Sequence, residues 1–172
     1  TTLPDKGLAE LAALLDALTP MTDVRLWMTR ANADAGGMTI NAALDAFSED
    51  RPNVSLHDAL GPSYLPLLAR CDAVVGNSSS GLTEAPSVQT PTVDVGLRQT
   101  GRLAGPSVIH VGAEPREIGE AIRRAMNGDV PGFDNPYGDG HSSPRIVQRL
   151  IAAPDRDTLL RKRFFDGEAA HV

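Results

Sequence analysis

The chain has 172 residues, enough for one domain with a sizeable core and too few for two ordinary ones. Apolar residues make up 41% of it and the net charge is −6, which suits a soluble globular fold and argues against a disordered tail or a broad basic nucleic-acid surface. No run approaches the roughly 18 consecutive apolar residues of a membrane helix, and the opening TTLPDKGLAE lacks the basic-then-apolar layout of a signal peptide. Cys71 is the single cysteine, so no internal disulfide can form; it is expected as a buried core thiol in a reducing, cytoplasmic setting. A start at Thr1 rather than Met suggests a fragment or a processed chain.

Leu8, Leu11, Leu14, Leu15 and Leu18 recur at helical spacing and predict an amphipathic helix that stops at Thr19-Pro20. A helix so early has no strand before it, so the first βα unit is expected to be truncated. Val24 to Met28 reads as a strand, followed by the loop TRANADAGG from Thr29 to Gly37. Ile40, Ala43, Leu44 and Phe47 mark a helix, Asn53 to Leu56 a short strand, and Tyr64 to Ala69 a short helix. Asp72 to Val75 reads as a buried parallel strand and Pro91 to Val95 as another. Between them Pro86 forbids one regular helix, so the segment from Gly81 to Val88 is expected to be short or kinked. Val108 to Val111 is a further strand, and Ile118, Ala121, Ile122 and Ala125 form one helical face. The stretch Asn127 to Ser143 is rich in Gly, Pro and Asp. Ser143 followed by Pro144 predicts the cap and first turn of a helix running to about Ala153. The tail from Arg156 mixes charge with two Phe and is expected to pack on a partner surface.

Strands alternating with helices argue for a Rossmann-like α/β fold, a parallel sheet with helices on both faces. Right-handed crossovers place the loops 29–37, 57–63, 76–81 and 96–102 on one rim, where such sheets bind ligands. The stretch GNSSSGLTEAPSVQTPTVDVGLRQTGR, Gly76 to Arg102, carries the chemistry. Small residues admit a ligand to the backbone. Serine hydroxyls with free N–H groups at a helix start suit a phosphate. Glu84 offers an acceptor for hydroxyls such as those of a ribose, and Arg98 and Arg102 follow the next strand. Arg102 reads as a second phosphate contact or as a capping or surface residue.

GNSSSG, TEAPS, TPTVDVG and LRQTGR, in that order, resemble the carboxyl-terminal half of hydrolysing UDP-N-acetylglucosamine 2-epimerases of the sialic-acid-pathway type. The likeness runs from the NADAGG loop to NPYGDG. It implies the second domain of a glycosyltransferase-B-type enzyme that converts UDP-N-acetylglucosamine and water to N-acetylmannosamine and UDP, without redox or metal cofactor. It implies that Ser78 and Ser79 bind the diphosphate, Glu84 the ribose and Arg98 the phosphates, with Ala59 backbone and the Tyr64 ring holding uracil. Asn32, Asp34, Tyr137 and Asp139 lie in matching motifs. The family's catalytic groups belong to its amino-terminal domain, so no catalytic residue is expected among these 172, and that domain is the expected partner, in a homo-oligomer.

Two other readings compete. A nucleotide-sensing module of the same fold needs no catalysis. A serine hydrolase would use Gly76-Asn77-Ser78 as its elbow with Asp94 and His110 following in order, but Ser80 stands where that motif requires glycine. The four histidines, His57, His110, His141 and His171, show no zinc-motif spacing.

Overall fold

A computed structural model describes residues 7–32 and 36–161. They form two compact units that meet in sequence between Tyr137 and Gly138. The first contains five strands: β1 (Leu26–Thr29), β2 (Val54–His57), β3 (Val74–Gly76), β4 (Thr92–Val95) and β5 (Val108–Val111). Every ladder is parallel. The pairing divides the strands into β1 with β2, and β3, β4 and β5 in that order. The helices are α1 (Leu8–Leu18), α2 (Gly37–Ser48), α3 (Tyr64–Leu68), α4 (Ser80–Thr83) and α5 (Pro115–Met126). This is the Rossmann-like α/β architecture that the alternation predicted.

The core explains the arrangement. Ala13, Ala17 and Leu18 of α1 meet Ile118, Ala121, Ile122 and Ala125 of α5 over Val93 and Val95 of β4. Leu26 and Met28 of β1 and Val75 of β3 pack on the same cluster, so both strand groups share one core. Complete burial of a side chain such as Ile118 stabilises by about 1.5–3 kcal/mol. Successive strand residues point to opposite faces, so Thr92 and Asp94 face the other way, where Thr92 meets α4. Helices therefore cover β4 on both sides, and all four of its residues are buried. The residues of β3 are only half-buried, and β1 alternates half-buried with exposed positions. Among the described residues β1 pairs on one edge only, and so does β3.

Element boundaries shift where side chains seize the backbone. β1 begins at Leu26 rather than Val24 because the Val24 and Met21 carbonyls accept from Asn53 Nδ2, at 2.9 and 3.1 Å. Helix α2 starts at Gly37, where a Cβ would come within 2.1 Å of the Asn32 carbonyl oxygen. Pro86 acts as expected: α4 is a single turn, and a 3-10 turn, Ala85–Val88, completes the segment. Cys71 is half-buried rather than a core thiol; its S–H points at the Leu67 carbonyl, and burial, with Asp72, pushes its pKa up.

The second unit holds α6 (Ser142–Ile151) and α7 (Arg156–Leu160). Helix α6 starts one residue before the predicted Ser143 cap, and no described side chain caps it. Asp139 takes over at the approach to the helix: its carboxylate accepts the His141 N–H at 3.0 Å and pairs with Arg145. These contacts hold the Asp139 carboxyl down at about 2, with the Arg145 hydrogen bond the largest cause. Asp155 caps α7 through the Thr158 N–H. The two Phe of the tail lie outside the described residues. No described helix is long and apolar enough to cross a membrane.

Candidate functional site

The site grows from the end of β3. Gly76 has φ of +144°, a conformation that glycine alone adopts comfortably, and it turns the chain out of the sheet. Asn77, Ser78 and Ser79 then cross to α4. The Ser78 and Ser79 N–H groups donate to nothing among the described residues, whereas Ser80 N–H reaches Ser78 Oγ at 3.4 Å. Ser78 is exposed and Ser79 half-buried. One helical turn carries little macrodipole, so the anion-binding capacity here rests on these N–H groups and hydroxyls.

Ser80 organises the acceptor side. Its Oγ donates to Glu84 Oε2 at 2.5 Å, one turn further on, and is also hydrogen-bonded to the Tyr64 hydroxyl at the start of α3. Glu84 is exposed and held by one oxygen, so its other oxygen is available to a ligand hydroxyl. Helix α4 is fixed to the sheet where Thr92 Oγ1 donates to the Gly81 carbonyl at 2.7 Å. A Cβ on Gly81 would lie 2.6 Å from Thr92 Cγ2, so only glycine allows this approach. At the far end Asn135 Nδ2 donates to the Thr83 carbonyl at 2.9 Å and to Ser87 Oγ at 2.7 Å.

The loop after β4 closes on the same point. Arg98 Nη1 and Gln99 Nε2 both donate to the Asn77 carbonyl, at 2.8 and 2.6 Å. The structure therefore gathers Ser78, Ser79, Glu84, Arg98 and Tyr64 around one loop. Arg102 is exposed on a cavity of about 590 Å3 that it shares with His110, Glu117 and Arg124, and it makes no hydrogen bond to the serines. Tyr137 is tied to the same stretch, its hydroxyl donating to the Leu103 carbonyl at 2.9 Å. Ala59 is exposed in the loop after β2, and Asn32 is exposed beside Ala31, whose N–H and carbonyl Asn41 binds. Asp34 lies outside the described residues, and Asp139 belongs to the second unit.

Three residues of this framework escaped the sequence reading. Ser80 left a usable signal, its i,i+4 spacing from Glu84. Asn135 sits in NPYGDG without pointing to a partner, and nothing in the sequence marks Gln99 as buried. The hydrolase constellation forms only in part. His110 Nδ1 lies 2.8 Å from Asp94 Oδ2, but no hydrogen bond links Ser78 to His110. Burial raises the pKa of Asp94, and His110 pulls it part of the way back. Among the described residues no cluster of three or more His, Cys, Asp or Glu could hold a metal ion.

The family model for UDP-N-acetylglucosamine 2-epimerase matches residues 1–151. The chain belongs to the UDP-N-acetylglucosamine 2-epimerase family. It is 34% identical to a hydrolysing UDP-N,N'-diacetylbacillosamine 2-epimerase of Legionella pneumophila, across 82% of this chain and 37% of the relative. It is 32% identical to a hydrolysing GDP/UDP-N,N'-diacetylbacillosamine 2-epimerase of Campylobacter jejuni, across 91% of this chain and 42% of the relative. A UDP-N-acetylglucosamine 2-epimerase of Neisseria meningitidis is 36% identical over 106 residues. This epimerase-family chain thus spans about two fifths of the length of the first two relatives, 37% and 42%.

Proposed function

We propose that this chain is the UDP-binding part of a hydrolysing nucleotide-sugar 2-epimerase. The observation that carries the reading is Ser80, which joins Tyr64 to Glu84 next to the N–H groups of Ser78 and Ser79, which have no acceptor among the described residues. Those N–H groups and Arg98 meet the diphosphate, Glu84 takes a ribose hydroxyl, and Tyr64 with the Ala59 backbone lies against uracil. In the reaction a base removes the proton from sugar C2 while the C1–O bond breaks and UDP departs with its electrons. Water then returns hydroxyl to C1 and a proton to the opposite face of C2. Preorganised donors stabilise the charge that develops on departing UDP. The base belongs to a separate amino-terminal domain, which closes with this one in a glycosyltransferase-B-type arrangement within a cytoplasmic homo-oligomer. No cofactor enters these steps.

The sugar admits a second reading. N-acetylglucosamine would place the enzyme in sialic-acid-type amino-sugar synthesis. The Legionella and Campylobacter relatives are named for N,N'-diacetylbacillosamine instead, and each match covers more than four fifths of this chain, 82% and 91%.

A thermal-shift panel of UDP, GDP, ADP and inorganic phosphate tests the proposal. A ligand that binds the native state raises stability by mass action, so UDP should raise Tm most. Equal shifts for all four would reduce the site to a general anion trap.

A further inference from the structure

We propose that Gln99 is a positioning residue of the nucleotide site, acting through the Asn77 carbonyl to aim the Ser78 N–H at the ligand's phosphate. The inference rests on the UDP-binding reading above and adds a residue to it. Gln99 is 2% exposed, among the most deeply buried polar side chains of the chain. A buried primary amide has two donors and two acceptor lone pairs to satisfy, and each unmet group costs free energy. Gln99 meets this demand poorly: among the described residues its buried Oε1 has no donor, and its amide nitrogen serves only Asn77, at 2.6 Å. A methionine would fill the same space without an orphaned oxygen, so packing alone gives no reason for glutamine here.

The reason lies in the peptide it holds. Asn77 directly precedes Ser78, and the Asn77 carbonyl and Ser78 N–H share one planar trans peptide, so they point in opposite directions. Whatever fixes that carbonyl fixes that N–H. Gln99 Nε2 and Arg98 Nη1 both donate to the carbonyl oxygen, Gln99 from a buried position and Arg98 from an exposed one. The Ser78 N–H is thereby directed away from buried Gln99 and toward the exposed side, where it donates to nothing among the described residues. Arg98 is exposed and free to shift toward a ligand. Gln99 is not, so it holds the aim while Arg98 engages phosphate.

The test is Gln99→Met, which keeps length and bulk and removes the donor, studied in the 172-residue chain. Calorimetry would measure Kd for UDP and for inorganic phosphate, and 15N NMR relaxation would follow the order of the Ser78 amide. Loss of one hydrogen bond's worth of positioning predicts that both Kd values rise about 2- to 12-fold, in parallel, with a lower order parameter at the Ser78 amide. A purely structural Gln99 would lower Tm and leave Kd of the folded protein unchanged. Kd values within about twofold of native, with the Ser78 amide as ordered as before, would overturn the proposal. If Gln99→Met does not fold, Gln99→Glu keeps the shape and puts an acceptor against the Asn77 carbonyl, with the same outcomes expected. If the native chain itself fails to bind UDP, the functional reading falls, and the order of the Ser78 amide still decides whether Gln99 holds the loop.

Discussion

Ser80 Oγ donates to Glu84 Oε2 at 2.5 Å, so one turn of helix holds the carboxylate that the ribose reading requires. The same hydroxyl meets Tyr64 from α3, which makes Ser80 the point where two elements of the site are joined.

Ser80→Ala should therefore release Glu84 without disturbing the phosphate loop. Loss of a hydrogen bond to a charged group is worth about 1.5–3 kcal/mol. Calorimetry should show UDP binding weakened accordingly, with inorganic phosphate affinity unchanged. An equal loss for phosphate would mean that Ser80 orders the whole loop.

Gly81→Ala sets two effects against each other. Alanine favours a helix over glycine by about 1 kcal/mol, but its Cβ would fall 2.6 Å from Thr92 Cγ2. Thr92 is buried and β-branched, so it yields little, and overpacking of this kind costs about 1–3 kcal/mol. Urea unfolding should show net destabilisation. Thr92→Ser removes the methyl group and keeps the hydroxyl that donates to the Gly81 carbonyl. In that background Gly81→Ala should become neutral or stabilising, and unchanged destabilisation would rule out the clash as its cause.

Asp94 gives a pH dependence of definite sign. Its folded pKa is raised above 3.8, by burial first and against the pull of His110. The native chain therefore holds this proton at pH values where the unfolded chain has lost it. Stability from this group falls as pH rises from 3.8 through the folded value, then levels off. Melting curves across that range should show the native protein losing stability relative to Asp94→Asn, a difference in which the carboxylates common to both cancel. Identical profiles would refute the assignment.

Placing the base in another domain predicts that this chain binds UDP yet leaves sugar C2 untouched. On the proposed division of labour, one domain alone cannot close over the sugar to exclude water. Incubation with UDP-N-acetylglucosamine in deuterated water, followed by proton NMR, should show no deuterium at C2. Exchange at C2, or accumulation of N-acetylmannosamine and UDP, would put the base among these residues.

The sequence by itself determined the alternation of strands and helices, the break at Pro86 and the order of motifs that marks the family. Those signals are local: hydrophobic period, glycine and proline act within a few residues, and Leu8 to Leu18 or Val108 to Val111 declares itself without reference to the rest of the chain. It also brought forward Ser78, Ser79, Glu84 and Arg98, because hydroxyls, a carboxylate and a guanidinium in a glycine-rich loop advertise their chemistry. Local signals alone misplaced the α6 cap, where Ser143 had the right residue type but Asp139 makes the contacts. Only the tertiary structure decided that Ser80 joins Tyr64 to Glu84, that buried Gln99 grips Asn77, and that Asp94 pairs with His110 on the next strand. It also decided that the strands pair in two groups over one core. The physical reason is that these contacts join separate elements. They depend on strand register, crossover direction and which face each side chain takes in the packed fold, and residue type alone specifies none of the three.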